Sequence, residues 1–243
     1  KADNLYVDLP NKFQTPSLSH LFGTDWVGRD MLTRTIKGLS LSMKIGLLAT
    51  LTSTIIAIIL GIIGPTFGRR VDAVVTWFID LVLSVPHTLV VMLISIAMGG
   101  GLKGIVVGVA ATHWTSLTRV IRAEVMQIME SDYTKISKNF GKSNWYIAKE
   151  HILPHVIPQI IVNAVLIFPH AILHEASVTF LGFGLPPHEP AIGVILSESM
   201  KYLTSGYWWL AFFPGLSLIL VSMMVDKIGK NIEQLINPKT AYK

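Results

Sequence analysis

Residues 45–64 form a run of twenty residues without one charged side chain. As an α-helix rising about 1.5 Å per residue, such a run covers the roughly 30 Å hydrocarbon layer of a bilayer. Two further uncharged stretches have comparable length: residues 81–102, interrupted by Pro86, and residues 202–225, with Tyr207, Trp208 and Trp209 where interfacial aromatics belong. Two less regular stretches follow the same logic. Residues 104–125 carry Arg119 and Arg122 at the far end, and residues 156–183 carry Pro158, Pro169, His170, His174 and Glu175. Neighbouring helices or a water-filled cavity satisfy polar groups in such segments. The fold class expected is therefore all-α, a polytopic membrane protein with five transmembrane helices in this chain.

Composition and charge placement agree. The 243 residues are 51% hydrophobic and 14% charged, too apolar for an ordinary soluble domain. The net charge of +5 does not point to nucleic acid, because the basic residues sit between apolar stretches rather than along one soluble face. One set of loops holds Arg69, Arg70, Arg119, Arg122, Lys135, Lys138, Lys142, Lys149, Lys227, Lys230, Lys239 and Lys243, whereas the alternate set holds Lys103 and Lys201. The positive-inside rule puts the richer set in the cytoplasm. Residues 1–42 then read as an extracytoplasmic segment with an interfacial helix over 30–42, residues 43–228 as the membrane domain, and 229–243 as a cytoplasmic tail. Alternation also leads to the expectation of six spans in the complete protein, the first lying before residue 1.

Several chemistries are absent. There is no cysteine, hence no disulfide framework and no thiolate metal site. Phe140-Gly141-Lys142-Ser143 resembles the end of G-x-x-x-x-G-K-[ST], but Ile136 stands where the first glycine is required and no strand precedes it. His174-Glu175 opens like H-E-x-x-H, yet Val178 occupies the fifth position. No catalytic residue is expected, and the chain itself should bind neither ATP nor a resident cofactor.

Residues 131–158 are polar enough to leave the bilayer, and Phe140-Gly141 divides them into two short helical stretches. Gly141 permits a tight turn, Trp145 and Ile147 suggest an apolar face on the second stretch, and Pro154 and Pro158 mark re-entry into the membrane. On pattern alone this is an amphipathic helix-turn-helix loop.

The spacing is more specific. Gly141 followed by -x-S-x-W-x-I-x-x-x-H-I-L-P, with Tyr133 eight residues earlier, resembles the coupling loop of ABC import permeases in the peptide and nickel family, second-permease type. Residues 23–30, G-T-D-W-V-G-R-D, are similar to that family's G-T-D-x-x-G-R-D, as residues 180–187, F-L-G-F-G-L-P-P, are to a later motif. The resemblance covers essentially the whole chain. It implies a non-catalytic transport subunit of the cytoplasmic membrane that works by alternating access. The implied partners are a second homologous permease, two cytoplasmic ATPase subunits that hold ATP and Mg, an extracytoplasmic substrate-binding protein and membrane lipid. It also implies that Tyr133, Gly141, Trp145, His151, Ile152, Leu153 and Pro154 belong to the segment that docks on the ATPase. Lys135, Ile136 and Ser137 stand where the family usually has Glu-Ala-Ala, a departure at that contact.

His170 and His174 fall on one helix face at i,i+4 spacing, with Glu175 beside them. They are candidates for a transient metal contact. The competing reading is hydrogen bonding to neighbouring helices around the Pro169 kink. His87 and His113 are candidates for the same translocation path, though a single histidine is more often a packing residue than a ligand. Residues 185–205, stiffened by Pro186, Pro187 and Pro190, are the candidate surface for the binding protein. The expected cargo is nickel, another metal chelate or short peptides. The alternative is an ion-gradient-driven secondary transporter with an intramembrane His170, His174 and Glu175 relay.

Overall fold

The computed structural model describes residues 7–236. Lys239 and Lys243, with the rest of the expected tail beyond residue 236, lie outside the described residues, as do residues 1–6. Among the described residues the regular structure is helical, and extended pairing amounts to one isolated bridge between Thr24 and Asp30.

Helix α1, Met31–Thr66, begins at Asp30, whose carboxylate accepts the Thr33 amide at 2.8 Å. That cap satisfies one of the orphan donors of the first turn. The expected interfacial helix over 30–42 and the first span are thus one continuous helix of 36 residues. At about 1.5 Å per residue it is longer than the hydrocarbon layer, so one part stands outside it.

The uncharged stretch 81–102 is not a single helix. Helix α2, Arg69–Leu83, stops before Pro86, and α3, His87–Ala97, leaves at 91° to it. Proline lacks the amide that would continue the ladder and disfavours helical geometry at the residue before it. The break frees the start of α3 to face inward. Helix α4, Gly101–Met129, then runs parallel to α1, with Ile45 near Ile105 at one end and Gly61 against Ile121 at the other, and packs along it more extensively than any other pair. Gly104 and Gly108 let α3 lie close. A Cβ at either would come within 2.9 Å of a carbonyl oxygen, that of Ser95 or Val91.

After α4 the chain makes two short helices, α5, Asp132–Asn139, and α6, Asn144–Ile147. A π-helical turn, Ala148–Ile152, leads into α7, Leu153–Phe180. Helix α8, Ile192–Leu203, and α9, Trp209–Ile236, complete the described chain. Gly206, at φ +90°, separates them, so the last long helix starts at Trp209 rather than at 202. It continues to Ile236, through the position of the expected boundary at 229.

Three helical units are long and apolar enough to cross a membrane: Met31–Thr66, Asn144–Phe180 and Trp209–Ile236, with the bent α2 and α3 pair as a fourth if taken together. The buried interior is divided along the helices. Ala57, Leu117, Ile121, Ile147 and Ile152 share one cluster towards the α5 and α6 end, while Met31, Ile172, Ile192 and Leu210 share another at the opposite end.

Candidate functional site

Two regions bring the sequence-derived candidates together. The first is the α5 and α6 pair. Gly141 closes the turn between them at φ +75°, a left-handed conformation that costs glycine nothing extra, and its amide donates to the Lys138 carbonyl at 2.9 Å. Ser143 caps α6 by accepting the Tyr146 amide at 3.2 Å. Trp145 and Ile147 do not share a face as expected, because two residues turn a helix by about 200°. Ile147 is fully buried in the membrane-domain core, whereas Trp145 is 67% exposed. Ile152 is buried beside Ile147 in the same cluster. The pair is therefore anchored through Ile147 and Ile152, while Tyr133, Ile136, Phe140 and Trp145 remain exposed, Phe140 by 81%, and Trp145 lines an apolar cavity with Ile58 and Ile62 of α1.

Within this segment Ser137 and His151 are hydrogen-bond partners at 2.8 Å, and the His151 ring lies 5.6 Å from Tyr133 and 5.8 Å from Tyr146. Lys135 reaches Glu130 at 3.1 Å, an exposed contact that leaves it on the surface. Leu153 and Pro154 open α7. Nearby, Arg119 pairs with Asp80 at 2.9 Å and Arg122 with Asp72 at 2.6 Å. These arginines, read from sequence as topology signals, also fasten α4 to α2.

The second region is a cavity of about 410 Å³ lined by His87, His113, His170, His174 and Ser116 with Leu166 and Ile167. The three rings of His87, His113 and His174 converge from α3, α4 and α7, with centroids 4.5, 4.6 and 5.2 Å apart. His170, one turn before His174, is exposed and lines the cavity outside that trio. Glu175 does not line it. About 100° round the helix from His174, it is fully buried and accepts the Thr179 hydroxyl at 2.9 Å.

At the other end lies a cluster whose chemistry the 23–30 motif signalled without revealing. The Asp25 carboxylate is fully buried, accepts the amides of Val27 and Arg29 at 2.9 Å, and pairs with Arg29 at 2.6 Å and Arg34 at 3.2 Å. Arg34 also pairs with Glu198 of α8. Trp26 lies under both guanidinium groups, at 5.2 and 5.0 Å, and stacks on Tyr202. Burial opposes ionisation of Asp30, but bonds from Thr33 and the nearby His20 outweigh it and hold its carboxyl below the ordinary range. Arg34 and Glu198 were not singled out in the sequence, since 164 residues separate them and no local pattern joins them.

With this geometry in hand, comparison with known proteins is direct. Residues 53–238 match the family described as binding-protein-dependent transport system inner membrane component. The chain is 34% identical over 224 residues to the dipeptide transport system permease protein DppC of Bacillus subtilis (strain 168), covering 92% of this chain and 70% of the relative. It is 30% identical over 237 residues to the probable D,D-dipeptide transport system permease protein DdpC of Escherichia coli (strain K12), covering 98% and 79%. Its fold is similar to a chain of the MetNI methionine ABC transporter in an inward-facing conformation, with a TM-score of 0.69 at 13% identity over 85% of this chain and 98% of that one. The chain belongs to the binding-protein-dependent inner-membrane component family, as a multi-pass ABC importer permease of the peptide-transport group.

Proposed function

We propose that this permease carries short peptides into the cytoplasm by alternating access, driven by ATP hydrolysis in partner subunits. The observation that carries the coupling part is the α5 and α6 pair, with Ile147 and Ile152 buried in the membrane-domain core while Tyr133, Ile136 and Phe140 stay exposed. An exposed apolar patch on a polar loop is a docking surface in need of a partner. The partner is one of two ATPase subunits, which hold ATP and Mg. Closure of the ATPase pair pushes on this surface, and the core contacts pass the displacement to α7 and α4. A nucleotide moves the equilibrium only through unequal affinity for the two orientations.

The assembly contains a second homologous permease, completing the pathway between the two, and an extracytoplasmic binding protein that meets the end formed by residues 185–205. The basic residues at the α5 and α6 end support a cytoplasmic orientation for it. Five spans in this chain follow when α4 is counted with the three long apolar helices and the bent pair. α4 has the length, and among its polar side chains Arg119 and Arg122 pair with α2 while His113 and Ser116 line the cavity. Peptide cargo is supported by relatives named for dipeptide transport. The secondary-transporter reading loses its relay, because Glu175 is packed away from His170 and His174.

The test is cargo-stimulated ATP hydrolysis by the assembled transporter. Binding protein loaded with di- or tripeptides should raise the rate, and the same protein offered nickel chelates alone should do so less. Stimulation by nickel chelates with none by peptides would overturn the peptide assignment.

A further inference from the structure

The cavity holds an arrangement that peptide transport as such does not require. His87, His113 and His174 come from three different helices, each offering a ring nitrogen, and those nitrogens all lie within 4.8 Å of one another. Three imidazoles packed together, His113 buried and His87 and His174 half-buried, need a reason, since any uncompensated buried nitrogen loses its hydration. His113 has half of one. Its Nδ1 lies 2.9 Å from the Val109 carbonyl, which can only accept, so the proton is on Nδ1 and the lone pair is on Nε2. A backbone bond of this kind fixes tautomer and ring direction in histidines that ligate metals. His87 adds a buried Nδ1 without a hydrogen-bond partner among the described residues.

The geometry points to a three-nitrogen site, His87, His113 and His174, for a divalent first-row transition-metal ion whose remaining coordination positions open on the cavity. Neutral imidazole suits nickel, cobalt, copper and zinc and does not suit calcium or magnesium, which take oxygen ligands. Around a tetrahedral ion, nitrogens at about 2.1 Å from the metal stand roughly 3.4 Å apart, so the rings close by about an ångström on loading. Each ring sits on its own helix, and α3 is joined to α2 by the bend at Pro86, which gives that closure a place to occur. The cavity of about 410 Å³ leaves room for a small chelating molecule on the open face. The site rests on the reading of this cavity as part of the translocation path, and it widens the cargo from free peptide to a metal held by a peptide or similar small chelator. His170 stands outside the trio, so the metal is not held by the i,i+4 pair suggested by sequence.

Equilibrium binding of Ni²⁺ to the purified transporter assembly in lipid nanodiscs tests this without nucleotide, peptide or binding protein. It can therefore fail while peptide-stimulated ATP hydrolysis succeeds, and the reverse. Dialysis with elemental analysis should give one ion per copy of this chain beyond that bound by the other subunits. Co²⁺ loading should show the absorption of a nitrogen-ligated tetrahedral or five-coordinate centre. His87→Ala, His113→Ala and His174→Gln should each weaken binding by at least about tenfold, as loss of a ligand does. His170→Ala should stay within about twofold of the unaltered chain. Thermal melting of each variant separates ligand loss from misfolding, and the Gln variant keeps a polar group at its position should an Ala variant melt early. No bound Ni²⁺ in the unaltered assembly would overturn the site, as would binding lost in His170→Ala and retained in His87→Ala.

Discussion

Ser137 Oγ and His151 Nε2 lie 2.8 Å apart, tying α5 to the π-helical turn that feeds α7. This bond links α5 to the turn through which α6 runs into a long membrane helix. A single hydrogen bond contributes about 1 kcal/mol, enough for a several-fold change in the population of a coupled state. His151→Ala removes it, together with the ring contacts to Tyr133 and Tyr146. Peptide taken up per ATP hydrolysed in proteoliposomes should fall several-fold while membrane insertion is retained, and an unchanged ratio would count against this linkage.

Gly141 offers a cleaner perturbation of the same segment. Nothing lies within 4 Å of a Cβ placed there, so substitution acts through the backbone alone. At φ +75° an alanine costs about 1–2 kcal/mol. Proline costs more, because its fixed φ is near −65° and it also removes the amide that donates to Lys138. ATPase stimulation by loaded binding protein should weaken in Gly141→Ala and disappear in Gly141→Pro, with normal insertion in both. Full stimulation in the proline variant would rule out this turn as part of the coupling device.

Arg34 is the centre of the buried cluster at the opposite end. Removing it leaves Asp25 with Arg29 as its one remaining ion-pair partner and takes from Glu198 its ion pair. Breaking one side of a buried ion pair typically costs about 3–5 kcal/mol. Arg34→Ala should lower the melting temperature of the detergent-solubilised assembly more than Lys135→Ala, whose partner Glu130 is exposed. Arg34→Lys should recover little, since a single ammonium cannot span both carboxylates over the Trp26 ring. Equal melting of Arg34→Ala and Lys135→Ala would contradict the role of the cluster.

Asp30 gives this end a pH dependence of defined sign. Its folded carboxyl is held below the ordinary value, so ionised Asp30 stabilises the fold above the unfolded-state value of about 3.9. That contribution fades as pH falls through the folded value. Asparagine keeps a capping acceptor but no charge, so the melting gap between Asp30 and Asp30→Asn isolates the ionised form. The gap should be open at neutral pH and close as pH drops below about 4. A gap independent of pH would mean that the charge contributes nothing.

How much of this was readable beforehand follows from what local pattern can encode. The run at 45–64 lies inside a long helix because twenty uncharged residues have few other ways to satisfy their backbone in lipid. Gly141 marked the turn, since a left-handed φ leaves a compositional trace. Pro86 announced an interruption, yet not that the chain would bend by 91° and turn His87 inward. The four histidines named for one path do line one cavity, but the convergence of His87, His113 and His174 was not readable, because they are spread over residues 87–174 and meet only when α3, α4 and α7 pack. His170 and His174 drew attention by their spacing, and both line the cavity, whereas the rings nearest His174 come from other helices. Trp145 and Ile147 were assigned one face by hydrophobicity, whereas helix geometry sends one to solvent and the other to the core.

ATP-coupled import is measured most directly in proteoliposomes that contain this chain, its partner permease and the ATPase subunits, with labelled peptide delivered by the binding protein. Uptake should require ATP inside the vesicle with the ATPase subunits, stop when ATP or the ATPase is left out, and be indifferent to an imposed proton gradient. Uptake by this chain alone, driven by a proton gradient with no ATPase present, would contradict it.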